Sequence, residues 1–334
     1  MRIQRWDPAD EVTGRACHEV MAAAARVDEP VEPPMSPGVF ELYLRTGWEH
    51  VPGEVWVATA GDGSVVGYYR IGLPDLENLD KAAGPPTVHP AARRRGIGRE
   101  LLLHAAARAK AHGRTLFEGH AAAGSAGDAF AQAMGARLDL EEMRRIQYLA
   151  EITPGTIATL RASAERAAGG YSLISWAGAI PDQYVEAMAE VFNAFNDAPH
   201  GEHEEPERWD ADRVRQRTDA ALKAGVMRGY SVAALRDSDG EMAAYSQVLV
   251  DPEHHGWGYQ QLTAVTRPHR GHRLGLLVKT AMLELLAKAE PGLDKISTGN
   301  AASNEHMIAV NEQLGYRVVE PGWRFYEMPV DAIS

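Results

Sequence analysis

Two short stretches carry the residue types needed to hold a phosphate. Arg93-Arg94-Arg95-Gly96-Ile97-Gly98 follows a strand-like segment and opens an apolar-periodic helix. Backbone N–H groups at a helix N-terminus bind phosphate oxygens, and the helix dipole adds to that attraction. Glycines let the backbone approach closely, and arginines add charge. The chemistry implied is pyrophosphate binding. No Gly-Lys-Ser/Thr follows, so this is not a Walker loop, and the dinucleotide GxGxxG is not completed. Arg270-Gly271-His272-Arg273-Leu274-Gly275 is a looser second copy, with Arg273 where the first copy has Gly96. An L-residue with helical dihedrals can still offer its N–H there, so weaker binding is expected.

A third stretch carries acid. Asn196–Asp212 (NDAPHGEHEEPERWDAD) holds seven carboxylates against one arginine. Such a cluster attracts a cationic amine and can supply a base, with Glu202, Glu204 and Glu205 as candidates; a solvated acidic loop is the alternative. His200, His203, His254 and His255 have no ligand-like spacing, so no metal site is expected. Cys17 is the only cysteine. That excludes an internal disulfide and a thiolate cluster, and its place on a helix face makes it a core residue. No GxSxG elbow occurs, which leaves a serine hydrolase unsupported. Trp209, Trp257 and Trp323 read as packing residues.

Composition narrows the partners. The 334 residues carry 34 Lys+Arg against 46 Asp+Glu, a formal charge of −12. Such a chain binds nucleic acid and anionic membrane poorly, so phosphate-loop duty suits Arg93–Arg95 better than a nucleic-acid patch. Neither a signal peptide nor an apolar run long enough to span a membrane is present, so a cytoplasmic location is expected.

The elements that must position these loops come in two copies. Ile3–Asp7 reads as a strand, followed by a helix from Glu11 to Arg26 that stops at Val27-Asp28-Glu29-Pro30. Downstream, Tyr171–Ala177 and a helix from Asp182 to Phe195 stop at Asn196-Asp197-Ala198-Pro199. Hairpins follow in each half, Glu54–Ala60 with Val65–Ile71 and Tyr230–Leu235 with Ala243–Val250. Each half then reaches its phosphate loop. Beyond the loops, GHAAAG (Gly119–Gly124) aligns with GNAASN (Gly299–Asn304), and AMGA with QLGY. The expectation is two α+β domains, 1–155 and 170–334, each a mostly antiparallel sheet flanked by helices.

With these residues in place, the chain resembles a tandem GNAT-superfamily N-acyltransferase across nearly all of both halves. In that family R/Q-x-x-G-x-G/A holds the pyrophosphate of coenzyme A, and Arg93, Gly96 and Gly98 match it. The resemblance implies donor contacts from Val88, Arg93, Arg94, Arg95, Gly96, Ile97 and Gly98. In the second half it implies Thr263, Ala264, Val265, Arg270, Gly271, His272, Arg273, Leu274, Gly275 and Asn304. The strand before the loop splays at a bulge to take the pantetheine arm, and Thr87–His89 and Thr263–Val265 match it. The family's Asn after the fifth strand is kept as Asn304. The Tyr seven residues later, which often protonates the leaving thiolate, is replaced by Asn311, with Tyr316, Tyr326, Tyr259 or water as substitutes. The first half has Gly124 and Ala131 at these two positions. The resemblance implies acetyl transfer from acetyl-CoA to a small-molecule amine, with no metal and with catalysis in the second half, as in tandem relatives. The rival readings are a non-catalytic acyl-CoA sensor, a protein N-acetyltransferase and an aminoacyl-tRNA-dependent transferase.

Overall fold

A computed structural model describes Met1–Ser334, the side chain of Glu49 excepted. The chain forms two compact units. Unit 1 is Met1–Glu142 with Gly201–Glu205 and Glu320–Ser334, and unit 2 is Met143–His200 with Pro206–Val319.

Unit 1 runs β1 (Arg2–Arg5), α1 (Glu11–Asp28), α2 (Pro37–Thr46), β2 (Gly53–Thr59), β3 (Val65–Gly72), β4 (Lys81–Ala83), β5 (Thr87–Val88), α3 (Ile97–Ala111), β6 (Leu116–Ala122), α4 (Ala126–Ala133) and the first part of β7 (Arg137–Tyr148). Asp10 caps α1 by accepting the Thr13 N–H at 3.0 Å. Neighbouring strands are antiparallel except β4 and β6, which are parallel. Successive residues on a strand face opposite sides, and β3 shows the consequence. Tyr68 packs with Cys17 and Val20 of α1 and Phe40 and Leu44 of α2. Tyr69 packs with Leu101, Leu102 and Ala105 of α3. Each fully buried leucine there contributes roughly 1.5–3 kcal/mol.

Unit 2 holds the end of β7, then α5 (Thr156–Ala167), β8 (Tyr171–Ala177), α6 (Val185–Phe195), α7 (Ala211–Arg217), α8 (Ala220–Lys223), β9 (Arg228–Arg236), β10 (Met242–Val250), β11 (Trp257–Val265), α9 (Leu274–Ala289), β12 (Lys295–Ala301), α10 (Glu305–Gln313) and the start of β13 (Tyr316–Pro329). The layering repeats. Val232 packs with Leu274, Leu277 and Met282 of α9, while its neighbour Ala233 packs with Met188 of α6 and Val214 of α7.

The expected boundaries at 155 and 170 miss an exchange. Residues Trp323–Pro329 of β13 pair antiparallel with Leu116–Ala122 of β6, so the C-terminal segment completes the sheet of unit 1. Unit 2 in turn begins within β7, at Met143. Among the described residues, no helix is long and apolar enough to cross a membrane.

Candidate functional site

Both units contain a strand splay beside a phosphate loop. In unit 2, Ser246 pairs with Thr263 but Val248 pairs with Gln260, so β11 carries one extra residue and bulges. The parallel pairing of β11 with β12 ends at Tyr259 and Ser297, although both strands continue. The Gln260 amide holds the bulge, donating to the Gln247 carbonyl at 2.7 Å and to Ser246 Oγ at 3.2 Å. In unit 1, β4 and β6 pair as far as Ala83 and Glu118, and the Gly84 N–H adds a last bond to the Glu118 carbonyl at 3.2 Å. Pro85 and Pro86 then lack the N–H a ladder needs. Thr87 and Val88 pair only with β3, while β6 runs on to Ala122. The segments Thr87–His89 and Thr263–Val265 therefore lie on or beside the freed arm of each splay.

The two loops share one backbone path. Left-handed residues occur at Arg94 (φ 63°) and Gly96 (φ 83°) in unit 1, and at Gly271 (φ 88°) and Arg273 (φ 54°) in unit 2. Each loop thus has one glycine and one arginine at these two positions, in opposite order. Arg273 is left-handed rather than helical as expected, a strained conformation for a side-chain-bearing residue. The first N–H groups of α3, from Ile97, Gly98 and Arg99, lack acceptors within the helix. Arg94 and Arg95 are exposed, with no ion pair among the described residues competing for them. A Cβ on Gly98 would lie 3.7 Å from Phe130, ordinary contact, so space remains over the helix start. These features fit a pyrophosphate. In unit 2, Arg273 is drawn aside to Ser163 Oγ at 2.6 Å, and His272 is exposed above the loop.

Arg93 and Arg270 are each engaged by an aspartate. Arg93 Nη1 and Nη2 donate to the two oxygens of Asp28 at 2.9 and 2.5 Å, and Nε donates to the Val88 carbonyl at 3.2 Å. Arg270 repeats this with Asp197 at 2.6 Å and the Val265 carbonyl at 3.3 Å, and Arg267 joins on Asp197. The hydrogen bonds from Arg267 and Arg270 hold the Asp197 carboxyl down at about 2. The guanidinium therefore ties the loop to the end of α1 in unit 1 and to the turn just past α6 in unit 2. Sequence reasoning missed Asp28 and Asp197 as loop anchors, although the repeat aligned the two helix stops that contain them.

The residues expected to do chemistry do not converge. Glu202, Glu204 and Glu205 lie in unit 1, not with the second-half loop. Lys81, whose side chain is buried, donates to Glu204 at 2.7 Å and pairs with Glu118 at 2.8 Å. Asn78 donates to Glu204 through its amide at 2.9 Å and to Glu205 through its backbone at 2.7 Å. Glu202 pairs with Arg137 at 3.0 Å. Glu202, Glu204 and Glu205 are thus each tied by an ion pair or hydrogen bond within unit 1. Asn304 caps α10, accepting the Met307 N–H at 3.2 Å, and its counterpart is the cap of α4, Ser125, one residue beyond the aligned Gly124. Asn311 is fully buried, donating to Asn300 at 2.7 Å. Tyr316 is a core residue whose hydroxyl burial pushes up. Tyr326 bonds to Asp128 in unit 1, and Tyr259 lies 2.9 Å from His254 Nδ1. Among the described residues no three His, Cys, Asp or Glu groups are placed to share a metal.

Comparisons with known proteins agree with this geometry. Residues 52–135 match the family model described as an acetyltransferase (GNAT) domain. A tandem GNAT protein from the clavulanic acid biosynthesis pathway is similar at 29% identity over 98% of both chains, with a TM-score of 0.82. A GCN5-related N-acetyltransferase from Sphaerobacter thermophilus shares the fold at 17% identity, over 98% of this chain and 95% of that one, with a TM-score of 0.69. No curated protein matches. A splayed strand beside a glycine-bearing loop in each half, within a mixed α/β fold shared along the whole chain, gives this protein the fold of tandem GNAT proteins, with residues 52–135 matching the GNAT domain model.

Proposed function

We propose that the chain transfers an acyl group, acetyl in the simplest case, from acyl-CoA to a small-molecule amine, and that unit 1 is its better-formed donor site. Acyl transfer is the chemistry of the family, and the refinement rests on one observation. Unit 1 combines a freed strand arm with a loop whose helix N–H groups, Arg94 and Arg95 are uncommitted. Unit 2 keeps the same path, but its Arg273 is drawn aside to Ser163, and the polar groups expected to serve chemistry there are caps or core residues. The second-half assignment expected from tandem relatives loses that support, and a weaker or structural donor site suits unit 2.

The reaction needs a neutral amine, a polarised thioester carbonyl and a protonated leaving thiolate. Unpaired strand N–H groups along the splay can meet the oxyanion. Release of free CoA thiol from acetyl-CoA, followed across a panel of amines, tests the proposal. Amine-dependent release is expected; tight acetyl-CoA binding without release for any amine would favour the sensor reading.

A further inference from the structure

His120 stands at the mouth of the unit 1 splay. Its strand neighbours fix its direction. Phe117 packs with α3, and Ala121 faces α4, where a Cβ on Gly127 would approach it to 3.1 Å. His120 and Glu118 therefore face the other side, the one covered by α1 and α2. Pro85 lies against Gly119, 3.2 Å from where its Cβ would be, so the histidine sits one residue from the point where the arms part. The ring is exposed, yet Trp323 flanks it at 5.1 Å edge-on and Phe325 at 5.7 Å. Neither ring nitrogen is hydrogen-bonded to another described residue.

The charges around it lean acidic. Glu118 lies two residues along β6, and Glu327, opposite Glu118 on β13, is held by Arg137 and His203. Lys81 on β4 is neutralised between Glu118 and Glu204. Arg324 alternates to the α4 side, where it pairs with Asp128. No cation is thus presented to the histidine, and desolvation by the protein around it lowers its pKa from the ordinary 6.5.

We infer that His120 accepts the proton of the incoming amine, in a subsite for a cationic amine walled by Trp323 and Phe325. The inference rests on the acyltransferase reading and deepens it. The ammonium gives one proton to His120, which passes it to solvent. The freed nitrogen lone pair forms the C–N bond as the C–S bond breaks and its electron pair leaves on sulfur. The second nitrogen proton reaches the thiolate through water, giving amide and free thiol. Aromatic faces attract the cation before it loses its charge. Glu118 and Glu327 add longer-range attraction. The Gly201–Glu205 segment closes this face through Asn78 and Lys81, which gives the acidic stretch a binding role without making it the base.

The test measures acetyl-CoA binding by calorimetry and amine-dependent thiol release from pH 5 to 9, for wild type, His120→Gln and Trp323→Leu. Unchanged acetyl-CoA binding marks each variant as folded. For His120→Gln the expectation is a loss in kcat/KM of about a hundred-fold, together with loss of the acidic limb of the wild-type profile. Trp323→Leu should raise KM for a cationic amine about three- to ten-fold more than for an uncharged amine of the same size. A His120→Gln enzyme with the wild-type rate and profile would overturn the inference while leaving the acyltransferase reading intact. Absence of release with every amine, in protein that binds acetyl-CoA, would overturn the acyltransferase reading and the inference with it.

Discussion

Asp28 and Arg93 are joined by two hydrogen bonds, 2.9 and 2.5 Å, that run from the end of α1 to the start of a phosphate loop. Asp197 and Arg270 repeat the tie in unit 2. In both units the arginine also reaches the carbonyl of the strand residue entering the loop, Val88 or Val265. One guanidinium thus fixes helix end, strand end and loop together. The arrangement holds the loop's N–H groups in place.

If the tie positions the loop, breaking it should cost affinity without unfolding unit 1. A partly exposed charged pair is worth roughly 1 kcal/mol, so Asp28→Asn should weaken acetyl-CoA binding about five-fold. Calorimetric titration checks this. A folded variant with the wild-type dissociation constant would remove the tether from the account.

The same pair in unit 2 makes an acid-stability statement. Asp197 is depressed from 3.8 to about 2 by its two arginines. Its contribution is fully present above the unfolded value, and it is lost as pH falls from about 4 through about 2. Urea melts between pH 5 and 2 should therefore show Asp197→Asn losing less stability over that window than wild type. Parallel pH dependences would show that the tie adds nothing.

Lys279 gives a rise of the same sign in an alkaline window, but from a burial cost rather than from an ion pair. It lies buried under the bulge, 3.1 Å from Gln260 Oε1 and 4.9 Å from the Tyr316 ring centre, and desolvation pulls its pKa from 10.5 to about 7. Between those values the unfolded chain holds a proton that the folded chain lacks, so stability should rise as pH goes from about 7 towards 10.5. Lys279→Met should flatten that rise and be least destabilising, or even stabilising, below pH 7. Denaturant midpoints at pH 6 and pH 9 decide it, and an unchanged slope would contradict the buried-amine reading.

Cys17 has no exposed surface, and burial pushes its thiol up to about 12. A chromogenic disulfide at pH 7.5 should label it only after denaturation, at least a hundred-fold faster than in the native protein. Rapid native labelling would show that α1 opens readily from the sheet.

Much of this was legible in the sequence because it is local. The helix faces of α1, α3 and α9, the hairpins and the two glycine-bearing loops all follow from spacing and turn residues. The repeat even placed Asp28 and Asp197 in register, though their role needed the folded distance to Arg93 and Arg270. What stayed hidden is non-local. The pairing of Trp323–Pro329 with β6 joins residues about two hundred positions apart, and no periodicity encodes it. That pairing brings Trp323 and Phe325 to His120, and the docking of Glu204 on Lys81 takes an acidic stretch from one half of the sequence into the other unit. The strand α2 covers and the strained geometry of Arg273 were likewise unreadable, since neither leaves a distinctive local pattern.

The most direct test of the central claim is calorimetric titration of wild type, Gly98→Trp and Gly275→Trp with acetyl-CoA, with Gly98→Ala as the control that the available space should tolerate. The account predicts a stronger site that Gly98→Trp abolishes, while Gly275→Trp and Gly98→Ala leave it in place. Binding that survives Gly98→Trp but vanishes in Gly275→Trp, or no binding by folded wild-type protein, would contradict it.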